Sequence, residues 1–402
     1  MKTTYLLLCL LGIGSVSGAG QTKQPQKIGD FIESTSYNEH RRNATRSLQY
    51  TPDGDDFVCI NGKNRFTRAL YGSHTAFRLE TSDRPVFAAY TKENPKHICF
   101  KLQTSGGTVA LDSTEHCESR YTAGRRSYSL SDPAFGGGSL SITTWALPDK
   151  EGAIWQFNAR NFKEFHPVLL ASISEIRNSK LNRNGDMGAD PADSFEAPLQ
   201  PQQLQSFPVQ IDGTLYMLLE NQELRTLTTA EGENLFKKAE AARSETASRI
   251  RIETPDPYFN TLGGTLAMAA DGIWDGEVWL HGAIGWRMPL SGWRAAYTGD
   301  VLGWHDRART HFNAYAASQV TEVPNTLPHP AQDSALHLAR SVKKWGTPQY
   351  SNGYICRNPH RNNQMHHYDM NLCYIDELLW HFKWTGDLDY VRQMWPVITR
   401  SE

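Results

Sequence analysis

One segment in the second half of the chain concentrates aromatic, cationic and acidic residues. It contains Trp286-Arg287, Trp293-Arg294, Asp300 and Trp304-His305-Asp306-Arg307. A Trp ring offers a flat apolar surface for one face of a sugar, and an Arg guanidinium offers a fork of donors for hydroxyl or carboxylate groups. A carboxylic acid in such surroundings can protonate a leaving oxygen. Asp306 and Asp300 are therefore candidate acids. The candidate stacking residues are Trp286, Trp293 and Trp304.

Both acid candidates also have a purely structural interpretation. Asp306 could form an ion pair with a neighbouring Arg on a helix face. Asp300 could cap a helix, because Tyr297-Thr298-Gly299-Asp300 is repeated later as Trp384-Thr385-Gly386-Asp387. Gly suits the left-handed residue that follows a helix, and Asp suits the first cap of the next helix. The repeat therefore predicts tight turns within helical hairpins.

A third acid candidate, Asp369, follows the histidines His366 and His367 and opens a predicted helix. A plain helix cap explains Asp369 equally well. The histidine spacing is not the i, i+4 pair that places two imidazoles on one helix face, so it does not predict a metal site. We expect His367, and His281 earlier in the chain, to form hydrogen bonds to a sugar. A histidine satisfied by the protein itself is the alternative for each.

A polar loop in the first half of the chain has oxygen ligands at positions 1, 3, 5, 9 and 12 of a calcium-loop pattern. These ligands are Asn182, Asn184, Asp186, Asp190 and Asp193. Calcium loops of this kind have Gly at position 6, where this chain has Met187. Calcium is therefore the one cofactor that the sequence leaves open. A surface loop held by Asx turns is the alternative.

The composition argues against several classes of partner. The 402 residues include 41 Lys+Arg and 43 Asp+Glu, which give a formal net charge of −2. No basic surface for nucleic acid is therefore expected. The sequence has no G-x-S-x-G motif and no Gly-rich phosphate loop with Lys, so serine-hydrolase and nucleotide-binding functions are not predicted. No segment after the amino terminus is long and apolar enough to predict a membrane span.

Residues 1–19 are typical of a secretory signal peptide. Lys2 is followed by the apolar run Tyr5–Ile13, and Ser17-Gly18-Ala19 forms a small-residue cleavage site. We therefore expect a periplasmic or extracellular protein. The five later cysteines show no C-x-x-C spacing, so a zinc site is not predicted. A single disulfide, such as Cys99 to Cys117, stays open.

A polar leader at residues 20–47 precedes a region, 48–229, that is predicted to form an antiparallel β-sandwich. Short β-rich runs such as Val86–Tyr90 are separated by Gly, Asn and Asp turns. In a later run, Leu140 and Ile142 alternate with Ser and Thr. This period of two indicates a strand with one buried face.

The pattern becomes helical from residue 230. A linker helix is predicted at 230–254, rich in Glu, Lys, Ala and Arg and ended by Thr254-Pro255-Asp256-Pro257. The further predicted helices are Tyr258–Asp271, Val301–Val320, Gln332–Lys344, Asp369–Trp384 and Leu388–Thr399. The fold class is therefore multidomain, β and then α.

Three segments, taken together, resemble the six-hairpin glycosidase superfamily. They are Thr254–Asn260, His281-Gly282-x-x-Gly285-Trp286-Arg287-Met288-Pro289, and His367-x-Asp369-Met370-Asn371 leading into Trp384-Thr385-Gly386-Asp387. The resemblance is closest to an uncharacterised secreted bacterial branch and more distant to inverting disaccharide phosphorylases and α-L-rhamnosidases. It implies an N-terminal β-sandwich, a helical linker and an (α/α)6 toroid, of which residues 255–402 would form the first part. The carboxylate that those relatives carry after the Arg-x-Pro segment has no unambiguous counterpart here.

The resemblance implies a secreted glycoside hydrolase of the inverting type that acts on a polysaccharide or oligosaccharide. Such an enzyme needs an acid and a base carboxylate about 6.5–9.5 Å apart. Arg287 and His281 would contact sugar hydroxyl or carboxylate groups. The general base is expected beyond residue 402, so we expect this chain alone to be inactive. Two alternatives stay open: a polysaccharide lyase, although familiar toroid lyases place their helices first, and a carbohydrate-binding protein without catalysis.

Overall fold

The computed structural model describes most of the chain from Tyr50 onward. The described residues are 50–63, 68–72, 74–90, 96–148, 150–162, 166–175, 205–211, 213–282, 287–292, 296–321, 331–333, 338–340, 353–360 and 368–401. All of them lie in the unit Gln49–Glu402. The predicted signal peptide and polar leader lie outside the described residues.

Two antiparallel sheets form the first part of this unit. In chain order the strands are β1 Thr51–Asp53, β2 Asp56–Ile60, β3 Arg68–Tyr71, β4 Arg78–Thr81, β5 Val86–Tyr90, β6 Lys96–Thr104, β7 Gly107–Ala110, β8 His116–Thr122, β9 Arg125–Ser131, β10 Ser139–Ala146, β11 Gly152–Arg160, β12 Val168–Glu175, β13 Gln205–Gln210, β14 Thr214–Glu220 and β15 Glu223–Leu227. The eight-stranded sheet has the order β1-β2-β8-β9-β10-β11-β14-β15. The seven-stranded sheet has the order β13-β12-β6-β5-β4-β3, with β7 paired to β6.

Apolar side chains from both sheets share one hydrophobic core. In β10, Leu140 and Ile142 are buried while the intervening residues are half-buried, as the period of two predicts. Phe87 and Phe100 of the seven-stranded sheet meet Trp155 of β11 edge to face, with ring centroids 5.5 and 6.1 Å from the Trp ring. Burial of this apolar surface stabilises the pairing of the two sheets.

The disulfide that the sequence left open is absent, because Cys99 and Cys117 are both free thiols. Cys99 lies in β6 and Cys117 in β8, so they belong to different sheets. Burial raises the pKa of Cys99 to about 11 and that of Cys117 to about 12. Both thiols therefore stay protonated near neutral pH and are unreactive.

Seven α-helices follow among the described residues. They are α1 Thr229–Ala247, α2 Pro257–Asn260, α3 Leu262–Gly272, α4 Tyr297–Val301, α5 His305–Ala317, α6 Tyr368–Thr385 and α7 Leu388–Ser401. A helix, α1, is present where the linker helix was predicted, but it ends at Ala247 and not at residue 254. It begins with a capping box, in which the Glu231 N–H donates to Thr228 Oγ1 at 3.3 Å and the Thr228 N–H donates to the Glu231 carboxylate at 3.1 Å. The order of a β region followed by helices is thus as predicted.

Helix α1 is attached to the eight-stranded sheet by polar and aromatic contacts. Trp145 of β10 donates its Nε1–H to Glu240 Oε2 at 2.7 Å. Arg243, one turn further along α1, binds the same carboxylate at 2.5 Å. The ring of Phe236 packs against that of Trp145 with centroids 4.0 Å apart. The helix is therefore fixed on the sheet rather than spanning open solvent.

A second contact joins the β region to the helices at Gly272, the last residue of α3. Its carbonyl oxygen accepts hydrogen bonds from Arg287 Nη1 at 3.0 Å and from Arg78 Nη2 of β4. Arg78 is fully buried, and its burial, together with the charge of Arg287, lowers its pKa to about 9. A Cβ atom at Gly272 would lie 2.6 Å from the Tyr71 ring. The position therefore requires glycine for space.

The predicted helix at Gln332–Lys344 is wrong over its described residues. Residues 331–333 and 338–340 form two short antiparallel strands, β16 and β17, that pair Ala331 with Arg340. The sequence Leu336-His337-Leu338 alternates as a strand does, and a short apolar run fits the period of a helix or a strand.

The predicted helix at Val301–Val320 is divided in the structure. Gly303 has φ +72° and separates α4 from α5. The left-handed residue was predicted at Gly299, which instead lies inside α4. A Cβ atom at Gly299 would lie 2.3 Å from the Trp279 ring, so this glycine is required by packing and not by its φ angle.

Helix α6 has two unlike faces. Tyr374, Leu378 and His381 are fully buried. On another face Leu372 is 71% exposed and Trp384 is 54% exposed, with Trp380 between them. We call Leu372, Trp380 and Trp384 the exposed face of α6. No helix in the described part of the chain is long and apolar enough to cross a membrane.

Candidate functional site

Asp300 on α4 is a buried carboxylate at the meeting point of three helices. His305 Nδ1, at the first residue of α5, lies 2.8 Å from Asp300 Oδ1. His381 Nδ1, on α6, lies 2.8 Å from Oδ1 and 3.1 Å from Oδ2 of the same carboxylate. We call these three residues the Asp300 cluster. Its members come from α4, α5 and α6, so their positions depend on the packing of all three helices.

The turn between α4 and α5 brings His305 back to Asp300. Gly303 takes the left-handed conformation, and the Trp304 N–H donates to the Gly299 carbonyl at 2.7 Å. His381 arrives from α6, where it shares the buried face of the helix with Tyr374 and Leu378 at the spacing i, i+4, i+7. The cluster is therefore built by one tight turn and one buried helix face.

The protonation pattern follows from the donor and acceptor groups. An ionised carboxylate only accepts, so with an ionised Asp300 each imidazole presents its Nδ1–H to the carboxylate. Both Nδ1 contacts then hold Asp300 in place as an acceptor. The predicted helix-cap role of Asp300 is wrong, because Asp300 lies within α4 and no side chain caps α5.

The two imidazoles differ in their access to solvent. His381 is 0% exposed, and the rings of Phe312 and Tyr390 lie with centroids 5.4 and 5.5 Å from its own. Within the described part of the chain, His381 Nε2 has no hydrogen-bond partner. The His305 side chain, by contrast, is 44% exposed. His305 is thus the member of the cluster that a substrate or ion can reach.

Nearby arginines are paired with other carboxylates. Arg307 binds Asp271 at 2.7 Å, and Arg309 binds Asp387 at 2.6 Å. Among the described residues, the ion-pair partners of Asp300 are the two imidazoles. Within the described part of the chain, the Asp300 carboxylate is therefore buried without an ion pair to an arginine or lysine.

Trp304, a predicted stacking residue, is covered by protein. It is 7% exposed, and the guanidinium groups of Arg307 and Arg249 lie 4.3 and 5.0 Å from its ring centroid. These cation–π contacts occupy the ring that we expected a sugar to use. The prediction for Trp304 is therefore not supported by its surroundings.

Asp306 is exposed on the first turn of α5, directly after His305. Its backbone carbonyl accepts a hydrogen bond from Thr310 Oγ1 at 2.9 Å. The predicted ion pairs of Asp306 with its neighbouring arginines are not formed, because Arg307 and Arg309 bind other carboxylates. The Asp306 side chain is exposed, and among the described residues it forms no ion pair, so solvent or a ligand can reach it.

Arg287 and His281 lie near the Gly272 contact. Arg287 donates to the Gly272 carbonyl, and burial lowers its pKa. His281 is half-buried, and its backbone N–H donates to the Met288 carbonyl at 3.0 Å. Burial, followed by the charge of Arg357, lowers the pKa of His281. A neutral imidazole at this position remains consistent with the predicted contact to a hydroxyl group.

The structure does not describe the side chains of several site residues predicted from the sequence. The side chain of Asp369 is not described, although its backbone lies in the first turn of α6 as expected. The predicted site residues that lie wholly outside the described ranges are Trp286, Trp293, His367 and the calcium-loop residues Asn182, Asn184, Asp186, Asp190 and Asp193.

Neither His305 nor His381 was predicted from the sequence as a site residue. His305 follows Asp300 by five residues across a Gly, a spacing that returns an imidazole to the carboxylate once the turn is recognised. His381 is 81 residues away from Asp300 along the chain. Its only sequence signal is its place among the apolar residues of one helix face.

Comparison with known proteins gives one finding that concerns the β region. Residues 95–250 match the model of a domain of unknown function, DUF4450. This part of the chain is similar to DUF4450. The match covers β6 to β15 and α1 but stops before the Asp300 cluster. No curated protein matches the chain.

Proposed function

We propose that this protein is a secreted glycoside hydrolase, of the inverting type, that acts on a polysaccharide or oligosaccharide. The observation that carries the proposal is the Asp300 cluster, in which a buried carboxylate holds a half-exposed imidazole beside the exposed acid candidate Asp306. Buried carboxylates that orient an accessible histidine are common in catalytic sites.

The roles follow from what each group can donate or accept. Asp300 is the positioning carboxylate, and it fixes the ring of His305 through Nδ1. With Nδ1 occupied, His305 Nε2 is the nitrogen that faces a sugar hydroxyl group. Asp306, the next residue, is the proposed acid, and Asp369 stays the second candidate. The general base is a carboxylate that the cluster does not supply.

Three features of the fold support a β-sandwich followed by the first part of an (α/α)6 toroid. The two sheets share one core and precede the helices. Helices α6 and α7 form a hairpin with a tight turn at Gly386, which has φ +62°. The exposed face of α6 is apolar and suits coverage by a further helical hairpin. Secretion rests on the sequence of residues 1–19.

The test is a product screen of the full-length gene product against a panel of polysaccharides and oligosaccharides. Reducing ends and ultraviolet absorbance are measured for the wild type, Asp300→Asn and Asp306→Asn. The control is Asp387→Asn, which changes the matching Asp of the second Thr-Gly-Asp segment. We expect reducing ends without ultraviolet absorbance, a loss of at least about 100-fold in Asp306→Asn and Asp300→Asn, and little change in the control.

Three results would contradict the proposal. An unsaturated product that absorbs in the ultraviolet would indicate a polysaccharide lyase. Binding of a carbohydrate without any product would indicate a binding protein. Full activity in both Asp300→Asn and Asp306→Asn would move the site elsewhere in the molecule.

A further inference from the structure

We propose that Asp300, His305 and His381 together bind one divalent transition-metal ion, with Zn²⁺ as the representative ion. This inference does not depend on the proposed glycosidase activity. It starts from the convergence of one carboxylate and two imidazoles from three different helices on a single point.

The distances are close to those of a metal centre. One potential ligand atom from each residue lies within 4.8 Å of the other two. A tetrahedral ion with bonds of about 2.0–2.1 Å holds its ligand atoms roughly 3.3 Å apart. The Nδ1-to-carboxylate distances of 2.8 Å need to widen by only about half an ångström to reach that value. Two imidazoles and one carboxylate form a donor set that Zn²⁺ and related ions prefer, and one position stays open.

The charge of the site favours a cation. A buried carboxylate is costly unless a positive group compensates it. Neutral imidazoles carry no charge, and the nearby Arg307 and Arg309 are bound to other carboxylates. On binding through Nδ1, each neutral imidazole would carry its proton on Nε2, so that both Nδ1 lone pairs contact the ion and the ion supplies the positive charge. A proton on one imidazole would also balance the charge, and the experiment below separates these two possibilities.

His381 provides an independent observation. Its side chain is fully buried among aromatic rings, and Asp300 is its polar partner in the described part of the chain. A buried imidazole that is directed at a single carboxylate is placed for ligation there. His305 supplies access, because its side chain is 44% exposed. An ion can therefore enter from the His305 side.

The test is a titration of the metal-free protein with Co²⁺, which reports nitrogen ligation by its visible absorption. Zn²⁺ then competes for the same site, and elemental analysis gives the stoichiometry. We expect one equivalent per chain and displacement of Co²⁺ by Zn²⁺. An excess of Ca²⁺ should not displace Co²⁺, because Ca²⁺ prefers oxygen ligands. The last result also separates this site from the calcium-loop candidates.

Two substitutions make the assignment specific. His305→Ala removes a half-exposed ligand and should weaken binding by at least about 100-fold. The matched control is His360→Ala, because His360 Nε2 also pairs with a carboxylate, Glu277 Oε2, at 2.6 Å but forms no group of three potential ligands among the described residues. The control should bind Co²⁺ as the wild type does. Circular dichroism and melting curves verify that each variant is folded.

Three results would overturn the proposal. They are the absence of stoichiometric Co²⁺ binding by the wild type, wild-type affinity in folded His305→Ala, and loss of binding in His360→Ala. If the wild type binds no metal while nuclear magnetic resonance shows a protonated imidazole in the cluster, a proton balances the charge instead. None of these outcomes alters the product screen, so metal binding and hydrolysis are tested separately.

Discussion

The two Thr-Gly-Asp segments of this protein place identical residues in opposite environments. In the second, Gly386 ends α6 with φ +62°, and Asp387 Oδ1 accepts the Tyr390 N–H at 2.9 Å at the start of α7. That hydrogen bond lowers the pKa of Asp387, whose side chain is 32% exposed. In the first, the Asp300 side chain is 2% exposed and is held by two imidazoles.

The difference arises from the neighbours of each glycine. Gly386 has open space where a Cβ atom would lie, so its backbone conformation is what requires glycine. Gly299 packs against the Trp279 ring, and the left-handed position moves four residues on, to Gly303. Asp300 therefore stays inside a helix and is directed into the protein. The same Thr-Gly-Asp sequence is thus compatible with a helix end and with a helix interior, and packing against neighbouring residues determines which one forms.

The two Thr-Gly-Asp segments should differ most in how much stability is lost when the Asp side chain is removed. Asp300→Ala leaves the Nδ1–H donors of two imidazoles without their common acceptor and should lower the free energy of unfolding by about 3 kcal/mol. Asp387→Ala removes an exposed cap and should lower it much less. Urea unfolding of both variants gives the comparison. Equal losses would show that Asp300 is not an integral part of the buried cluster.

Acid should destabilise the surroundings of the first segment. His311 Nδ1 accepts the N–H of Trp279, and burial lowers the pKa of His311 to about 3. In the unfolded chain His311 takes up a proton below its ordinary pKa of about 6.5, so the unfolded state binds more protons from there down to the folded pKa. The free energy of unfolding should therefore fall by roughly 3 kcal/mol between pH 6.5 and 4.

The control for this prediction is His311→Gln, which cannot titrate. Urea midpoints of both proteins are measured at pH 7, 5 and 4. The variant should show a flatter dependence on pH. The same acid sensitivity in both proteins would remove His311 as the cause.

Substitution of Gly299, in the first segment, should destabilise the protein because the site has no space for a side chain. Gly299→Ala places a Cβ atom against the Trp279 ring and should cost about 1–3 kcal/mol of stability by overpacking. Trp279→Phe in the same background should recover part of the loss, because the smaller ring makes room. Thermal melting of the single and double variants measures this coupling. No recovery would mean that the contact with Trp279 is not the cause.

Substitution of Gly386, in the second segment, should destabilise the protein because of the backbone conformation at this position. Gly386→Ala should cost about 1 kcal/mol, because φ is +62° there. Gly386→Asn should cost less, since Asn tolerates the left-handed region. At Gly299 the order should reverse, with Asn worse than Ala because it is larger. Melting temperatures of these four variants test the reversal.

Local signals predicted much of the fold. The alternation around Leu140 identified a strand, and the Glu-, Lys- and Ala-rich composition after residue 230 identified the linker helix, although α1 ends at Ala247, before the predicted stop at Thr254–Pro257. The turn at Gly386-Asp387 was also predicted correctly. Each of these features depends on residues within one turn or one strand, so short stretches of sequence contain the information.

The site depended on contacts that no local pattern contains. Asp300 becomes a buried acceptor only because His381 arrives from 81 residues away. Trp304 loses its expected role because Arg249 and Arg307, from two different segments, cover its ring. The sequence indicated the right stretch of chain for the site but not the partners within it.

The hydrogen bonds at Gly272 restrict movement of the β-sheets relative to α3. Arg78 is inaccessible to water while it binds that carbonyl, so drawing the sheets away from α3 would expose a guanidinium and a carbonyl that now satisfy each other. Movement of the sheets relative to α3 is therefore unfavourable at this contact. We expect the sheets and the helices to unfold on heating in a single cooperative transition.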